Sequence, residues 1–173
     1  ERVMEGNKRR QEIVRQLKQA NKAISASKLA DKFSVSRQII VGDIALLRAA
    51  GEEIIATSRG YKYPQTSSLL TSKIVVQHKK EQTREELTTI VSLGGEVVDV
   101  IVEHDLYGEL VGGLYISSQK DVDNFIKNYE NSNGALLLQL TNGIHMHTIR
   151  YQKESDLVAI KTELAKKGIL YQN

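Results

Sequence analysis

Cysteine is absent from the 173 residues, so no disulfide and no thiolate-held metal can contribute. No apolar run approaches the roughly 20 residues that a membrane-spanning helix needs, and no secretory leader is visible, so the chain reads as a soluble, cytoplasmic protein. The paired glycines Gly94-Gly95 and Gly112-Gly113 lack the spacing and context of nucleotide-binding loops, which removes the commonest sequence argument for an enzyme. There is no internal repeat and no low-complexity tract. Proline occurs once, at Pro64, and the polar stretch Gln65-Thr66-Ser67-Ser68 follows it, which places a domain boundary there.

The charge divides at the same point. Residues 1–65 carry 13 Lys and Arg against 7 Asp and Glu, and residues 66–173 carry 11 against 14, so a front half of +6 precedes a back half of −3. A basic surface favours phosphate backbones through counterion release and an acidic one repels them, so the front half is where a duplex should bind.

The pattern of the front half fits that partner. Ser25 and Ser36 each precede a helical stretch and can accept hydrogen bonds from its free amides, which gives a short helix, a tight turn and a second helix running from Ser36 to Ala50. Ile40, Ile44 and Leu47 recur on one face of the second helix, and Gly51 ends it. Residues 53–63 then read as two short strands around a turn at Ser58, Arg59 and Gly60. Together these make a winged helix-turn-helix over residues 1–65. Arg37 and Gln38, at the start of the recognition helix, are placed to reach guanine and adenine edges in the major groove, or to touch phosphate only. Ser36 can meet phosphate, and Arg59 and Lys62 of the wing can hold the backbone or minor groove. Lys8, Arg9 and Arg10 read most simply as a solvated basic end. Gly42 inside the helix costs roughly 1 kcal/mol against alanine, which close approach to a partner surface would explain.

The back half, residues 66–173, predicts an α+β fold. Strands are expected at Ile74–Val76, Val97–Val102, Leu110–Ile116 and Ile144–Tyr151, and helices at Thr83–Leu93, Gln119–Tyr129 and Ser155–Lys167. Ala135–Leu140 is open between strand and helical turn. The order βαββαβα implies an open-faced sandwich with helices on one face of a sheet, the element order of the phosphocarrier HPr fold.

All four histidines, His78, His104, His145 and His147, fall in this half. Alternate residues of a strand share a face, so the imidazoles of His145 and His147 can converge on one point, and His78 or a carboxylate could complete a site for a divalent metal. The same residues have plainer readings. A lone His-x-His is often a hydrogen-bonded pair. Thr83-Arg84-Glu85-Glu86 is a capping box in which Glu86 would bond back to the Thr83 amide. His104, between Glu103 and Asp105, could be an oriented structural histidine.

Three runs together carry a resemblance: 35–44 (VSRQIIVGDI), 98–109 (VDVIVEHDLYGE) and 140–149 (LTNGIHMHTI). The chain resembles the niacin-responsive transcriptional repressors of bacteria, in which a winged helix precedes a regulatory three-histidine (3H) domain, over nearly its whole length from Asn7. The resemblance implies repression of genes for NAD biosynthesis or niacin uptake, with nicotinic acid as corepressor. It also implies a divalent transition metal, with nickel, zinc, iron and manganese not distinguished, held by His78, Glu86, His145 and His147. One departure is visible: the family often has His-Pro-Val-Tyr-Gly-Glu where this chain has His104-Asp105-Leu106-Tyr107-Gly108-Glu109, which loosens the local backbone.

A single winged helix reads too few base pairs for gene-level specificity, so a homodimer on a palindromic operator is expected, with its interface in the back domain. For the effector, the metal or His104 with a backbone amide could neutralise a carboxylate, while Tyr107 could stack on the pyridine ring. Two alternatives remain open from sequence. One is a metal-sensing regulator, and the other a metal-dependent enzyme with Glu109 or Asp105 as base.

Overall fold

Two serines set the geometry of the first part of the chain. Ser25 Oγ accepts a hydrogen bond from the Lys28 amide at 3.1 Å and Ser36 Oγ from the Ile39 amide at 3.2 Å, so each satisfies an amide at the start of a helix. The computed structural model describes residues 4–65, 68–132 and 136–172. It divides into two units, Glu1–Thr66 and Ser67–Asn173.

The first unit consists of α1 (Gly6–Gln19), α2 (Ala26–Phe33), α3 (Arg37–Ala49), β1 (Ile55–Thr57) and β2 (Gly60–Lys62). Ser34 turns left-handed after α2 (φ 54°), which lets the chain reverse into α3 within three residues. Ile13 and Leu17 of α1, Leu29 and Phe33 of α2, Ile40 and Ile44 of α3 and Ile54 form one buried cluster, with Leu47 packed against it. β1 and β2 pair as an antiparallel hairpin, and Tyr61 exchanges both backbone hydrogen bonds with Ile24 at 2.9 and 2.8 Å, which ties the wing to the loop before α2.

Gly60 makes that tie possible. Its φ is +128°, and a Cβ there would stand 2.3 Å from the Ile24 carbonyl oxygen. Gly60→Ala is therefore expected to detach the wing from Ile24 and destabilise the unit by about 1–3 kcal/mol, as read from denaturant unfolding. An unchanged midpoint would contradict the close approach. Gly42 is different: a Cβ there meets nothing within 4 Å in this chain, so its presence inside α3 has no internal packing reason.

The expectation of a merely solvated basic end is corrected at Arg9. Residues 6–19 form α1, and Arg9 is buried with both Nε and an Nη on Asp43 of α3, at 2.6 and 3.2 Å. Arg10 adds a third bond to the same carboxylate at 3.0 Å. The Asp43 hydrogen bond raises the Arg9 pKa further above its ordinary value, against the opposing effect of burial.

The second unit contains β3 (Leu70–Gln77), α4 (Thr83–Ser92), β4 (Glu96–His104), β5 (Gly108–Ile116), α5 (Gln119–Glu130), β6 (Ile144–Tyr151) and α6 (Glu154–Lys166), with 3-10 turns at Lys80–Gln82 and Leu137–Thr141. Its strands form one antiparallel sheet in the order β3-β6-β4-β5. Leu87 and Ile90 of α4, Val122 and Ile126 of α5 and Leu157, Ile160 and Leu164 of α6 share one core with Ile74, Val76, Val97, Leu114, Ile116, Ile149 and Tyr151 of the sheet. The chain is thus a winged helix followed in sequence by an α+β sandwich. The segment left open between strand and helix is a 3-10 turn at Leu137–Thr141, closed by left-handed Asn142 and Gly143 (φ 55° and 87°); Ala135 lies outside the described residues.

Two features of this sheet position chemistry. Burial alternates along β6, so His145, His147, Ile149 and Tyr151 face the core together. The pairing of β4 shifts register between Val97 and Asp99 on one side and between Val97 and Ile101 on the other. A bulge of this kind releases backbone groups from the ladder and re-aims them.

Candidate metal centre

Glu86 lies on the inward face of α4, on the same side as Thr83, Leu87 and Ile90, and is 1% exposed. A carboxylate at such a depth needs strong partners. Three imidazoles supply them. His147 Nε2 is 2.8 Å from Glu86 Oε1, while His78 Nε2 and His145 Nε2 are 2.5 and 3.3 Å from Oε2. The capping-box reading of Glu86 is corrected, because the Thr83 amide bonds to the Lys80 carbonyl of the preceding 3-10 turn and leaves the glutamate side chain nothing to cap.

Each imidazole is oriented by a backbone carbonyl. His78 Nδ1 is 2.7 Å from the Lys79 oxygen, His145 Nδ1 is 3.0 Å from the Gly143 oxygen, and His147 Nδ1 is 2.6 Å from the Asp99 oxygen. A carbonyl only accepts, so each Nδ1 carries the proton and donates it. In the neutral ring the lone pair is then on Nε2, and all three Nε2 atoms face Glu86. Three lone pairs around a carboxylate repel one another unless a cation lies among them. His78 Nε2 and Glu86 Oε2, although close, have no hydrogen-bond partner. The donor atoms of His78, Glu86 and His145 lie within 4.8 Å of one another, and His147 approaches from the other carboxylate oxygen. Three imidazole nitrogens and one carboxylate suit a divalent transition metal, and the arrangement can hold one.

Without metal, protons take the cation's place. Burial alone pushes His78 and His147 down, but the Glu86 charge and hydrogen bonds outweigh it and raise both above their ordinary value of 6.5. Burial pushes Glu86 up, and the imidazoles outweigh that and hold it well below 4.5. The signs set a pH window. The two histidines stabilise the fold fully below pH 6.5, and that contribution is lost as pH rises through their raised values. The glutamate's contribution is present above pH 4.5 and is lost as pH falls through its lowered value. Metal-free protein is therefore expected to lose thermal stability as pH rises above 6.5, whereas metal binding, which displaces the protons, strengthens in the same direction. Melting curves with and without chelator check this; parallel pH profiles would contradict it.

Asp99 is the residue that sequence reasoning missed. Its carbonyl orients His147, and its carboxylate accepts from the Thr148 amide and hydroxyl at 2.8 and 2.9 Å, which pins β6 beside the cluster. A lone acid inside the β-branched run 97–102 was the available signal. Gly143 is equally close: a Cβ there would lie 2.4 Å from the His78 carbonyl oxygen.

The remaining candidates lie elsewhere. His104 ends β4, and its Nδ1 accepts from the Leu106 and Tyr107 amides at 3.1 and 3.2 Å, so it orders the hairpin turn; the neighbouring carboxylates do not hold it. Tyr107 is 69% exposed, with its ring centroid 5.1 Å from that of His104. Neither bonds to Glu86 or to the other three imidazoles among the described residues. In the first unit Ser36 caps α3, Arg37 and Gln38 are exposed on its first turn, Arg59 lies in the wing turn and Lys62 on β2. No helix is long and apolar enough to cross a membrane among the described residues.

Comparison with known proteins matches two segments of the chain. Residues 71–173 match the 3H domain family, and residues 9–62 match an HTH domain family. The chain is 42% identical over 160 residues to the "Probable transcription repressor NiaR" of Thermotoga maritima, covering 92% of this chain and 91% of that one. It is 38% identical over 172 residues to the "Transcription repressor NadR" of Bacillus subtilis, covering 97% and 96%.

Proposed function

The chain belongs to the family of 3H-domain transcription repressors with an amino-terminal DNA-binding HTH domain, and from that premise we propose that it represses genes for NAD biosynthesis or niacin uptake, with nicotinic acid as corepressor. It is a regulator and not an enzyme. The observation that carries the reading is the buried carboxylate beneath three imidazoles whose Nδ1 atoms are all fixed by backbone carbonyls. That cluster, His78, Glu86, His145 and His147, holds a divalent transition metal, which supplies positive charge at the centre of the regulatory domain. The surrounding residues orient the imidazoles and exclude water.

Two copies of the chain bind a two-fold operator. In each, Arg37 and Gln38 read base edges in the major groove, the first turn of α3 capped by Ser36 meets phosphate, and Arg59 and Lys62 hold the backbone beside the wing. A ligand shifts an equilibrium only through its preference for one state, so nicotinic acid acts by binding better to the dimer geometry that matches the operator.

The base-reading roles are tested by fluorescence anisotropy on a promoter fragment from an NAD-biosynthesis gene and on a scrambled fragment. Arg37→Ala or Gln38→Ala is expected to lower affinity for the promoter by about 1–3 kcal/mol while leaving the scrambled fragment nearly unchanged. Equal losses on both fragments would reduce these residues to phosphate contacts.

A further inference from the structure

Arg37 and Gln38 occupy only the first turn of α3, and the helix continues to Ala49. Val41 follows Arg37 by four residues and Gln38 by three, and Ala45 follows Val41 by four, so these side chains line one stripe with Gly42 beside it. All five residues are exposed, whereas Ile40, Asp43 and Ile44 are buried on the opposite side. Ile39 and Leu46, the other large apolar side chains exposed on α3, are seven apart and belong to a different stripe.

The charge of the first stripe fits the floor of a groove. Between Arg37 and Arg48 it carries no charged group, and the one acid of α3, Asp43, is turned inward onto Arg9 and Arg10. Cations at both ends can meet phosphate while the uncharged middle faces base edges. An apolar side chain there has one partner of matching chemistry, the thymine 5-methyl group, which is the apolar feature that a base pair presents in the major groove.

Two residues of the stripe work against the helix that carries them. Val41 and Gly42 are both weaker helix formers than alanine. Val41 is 41% exposed and lies outside the buried cluster of the unit, and a Cβ on Gly42 would meet nothing within 4 Å, so interior packing explains neither choice. Contact with a duplex explains both. A β-branched side chain holds nearly one rotamer in a helix and loses little freedom on binding, and a glycine lets the backbone come close.

We infer that Val41 is a specificity-determining residue, packing its methyl groups against the 5-methyl group of a thymine in each operator half-site, with Gly42 setting how deeply α3 enters the groove. The inference rests on the operator reading in which Arg37 and Gln38 face base edges, and extends it by one turn.

Fluorescence anisotropy of the full-length protein, with nickel(II) and nicotinate present, tests it on promoter fragments from an NAD-biosynthesis gene in which single thymines are replaced by uracil. That change removes only the 5-methyl group. At one thymine position of a half-site it is expected to weaken binding by the unaltered chain about fourfold, the worth of one buried methyl-sized group, and to leave the affinity of the Val41→Ala variant unchanged. Gly42→Leu is expected to bind the promoter at least about tenfold more weakly, with an unfolding midpoint no lower than that of the unaltered chain. If no thymine position distinguishes the unaltered chain from Val41→Ala, or if Gly42→Leu binds the promoter undiminished, the inference is overturned, and selective promoter binding leaves the operator reading standing. An unaltered chain with no preference for the promoter over a scrambled fragment would overturn both.

Discussion

Glu86→Gln is expected to lower metal affinity by more than the roughly 10–100-fold that loss of an outer-shell partner costs, with little change in side-chain volume. Among the described residues Glu86 is the one anion within 3.3 Å of the three Nε2 atoms, and it is 1% exposed, so water cannot stand in for the lost charge. The substituted amide also turns an N–H donor toward lone pairs that a metal would otherwise use. A second consequence separates lost charge from general damage. The raised values of His78 and His147 depend on the glutamate, and burial alone would lower both. In the variant the main cause that raises both histidines is gone, and the decline in metal-free stability above pH 6.5 shrinks or disappears. Metal content by mass spectrometry after dialysis, with melting curves across pH, measures both effects. One retained equivalent of metal, or an unaltered pH profile, would contradict the assignment of Glu86.

Asp43→Ala is expected to destabilise the winged helix by about 3–5 kcal/mol, because removing one partner leaves a buried charge uncompensated. Asp43 is 3% exposed and accepts from Arg9 on two nitrogens and from Arg10 on a third. These bonds fasten α3, the helix that carries Arg37 and Gln38, to α1. The penalty comes from the stranded arginine, so the double replacement Arg9→Met/Asp43→Leu should recover most of the loss. Denaturant unfolding of the single and double variants decides the point. A single variant within about 0.5 kcal/mol of the unaltered chain would show that the pair does not anchor the helix.

These two residues also show where the sequence was legible and where it was not. The caps at Ser25 and Ser36 and the inward face of His145 and His147 follow from local rules, a side chain reaching an amide three residues on and a strand period of two. The order of elements in the second unit was readable for the same reason, since each has its own periodicity and turn residues. Arg9 was not readable, because its counter-ion is 34 residues away and nothing local distinguishes a buried arginine from its solvated neighbour Lys8. Glu86 fitted a local pattern, the capping box, and its place among the metal ligands came only from the resemblance; the Lys80–Gln82 turn takes up the Thr83 amide before the glutamate can. Asp99 acts through a bulge in strand pairing, a property of two neighbouring strands that no single segment encodes. The close approach of Gly143 to the His78 carbonyl is likewise made by segments about 65 residues apart.

The most direct test of repression governed through the three-histidine domain is the affinity of the full chain for a promoter fragment from an NAD-biosynthesis gene, measured with neither, either and both of nickel(II) and nicotinate. The expected result is tight, sequence-selective binding only when both are present, with nicotinate improving affinity by about 5–150-fold over metal alone. Operator affinity that follows the metal and ignores nicotinate would contradict the account and make the protein a metal sensor.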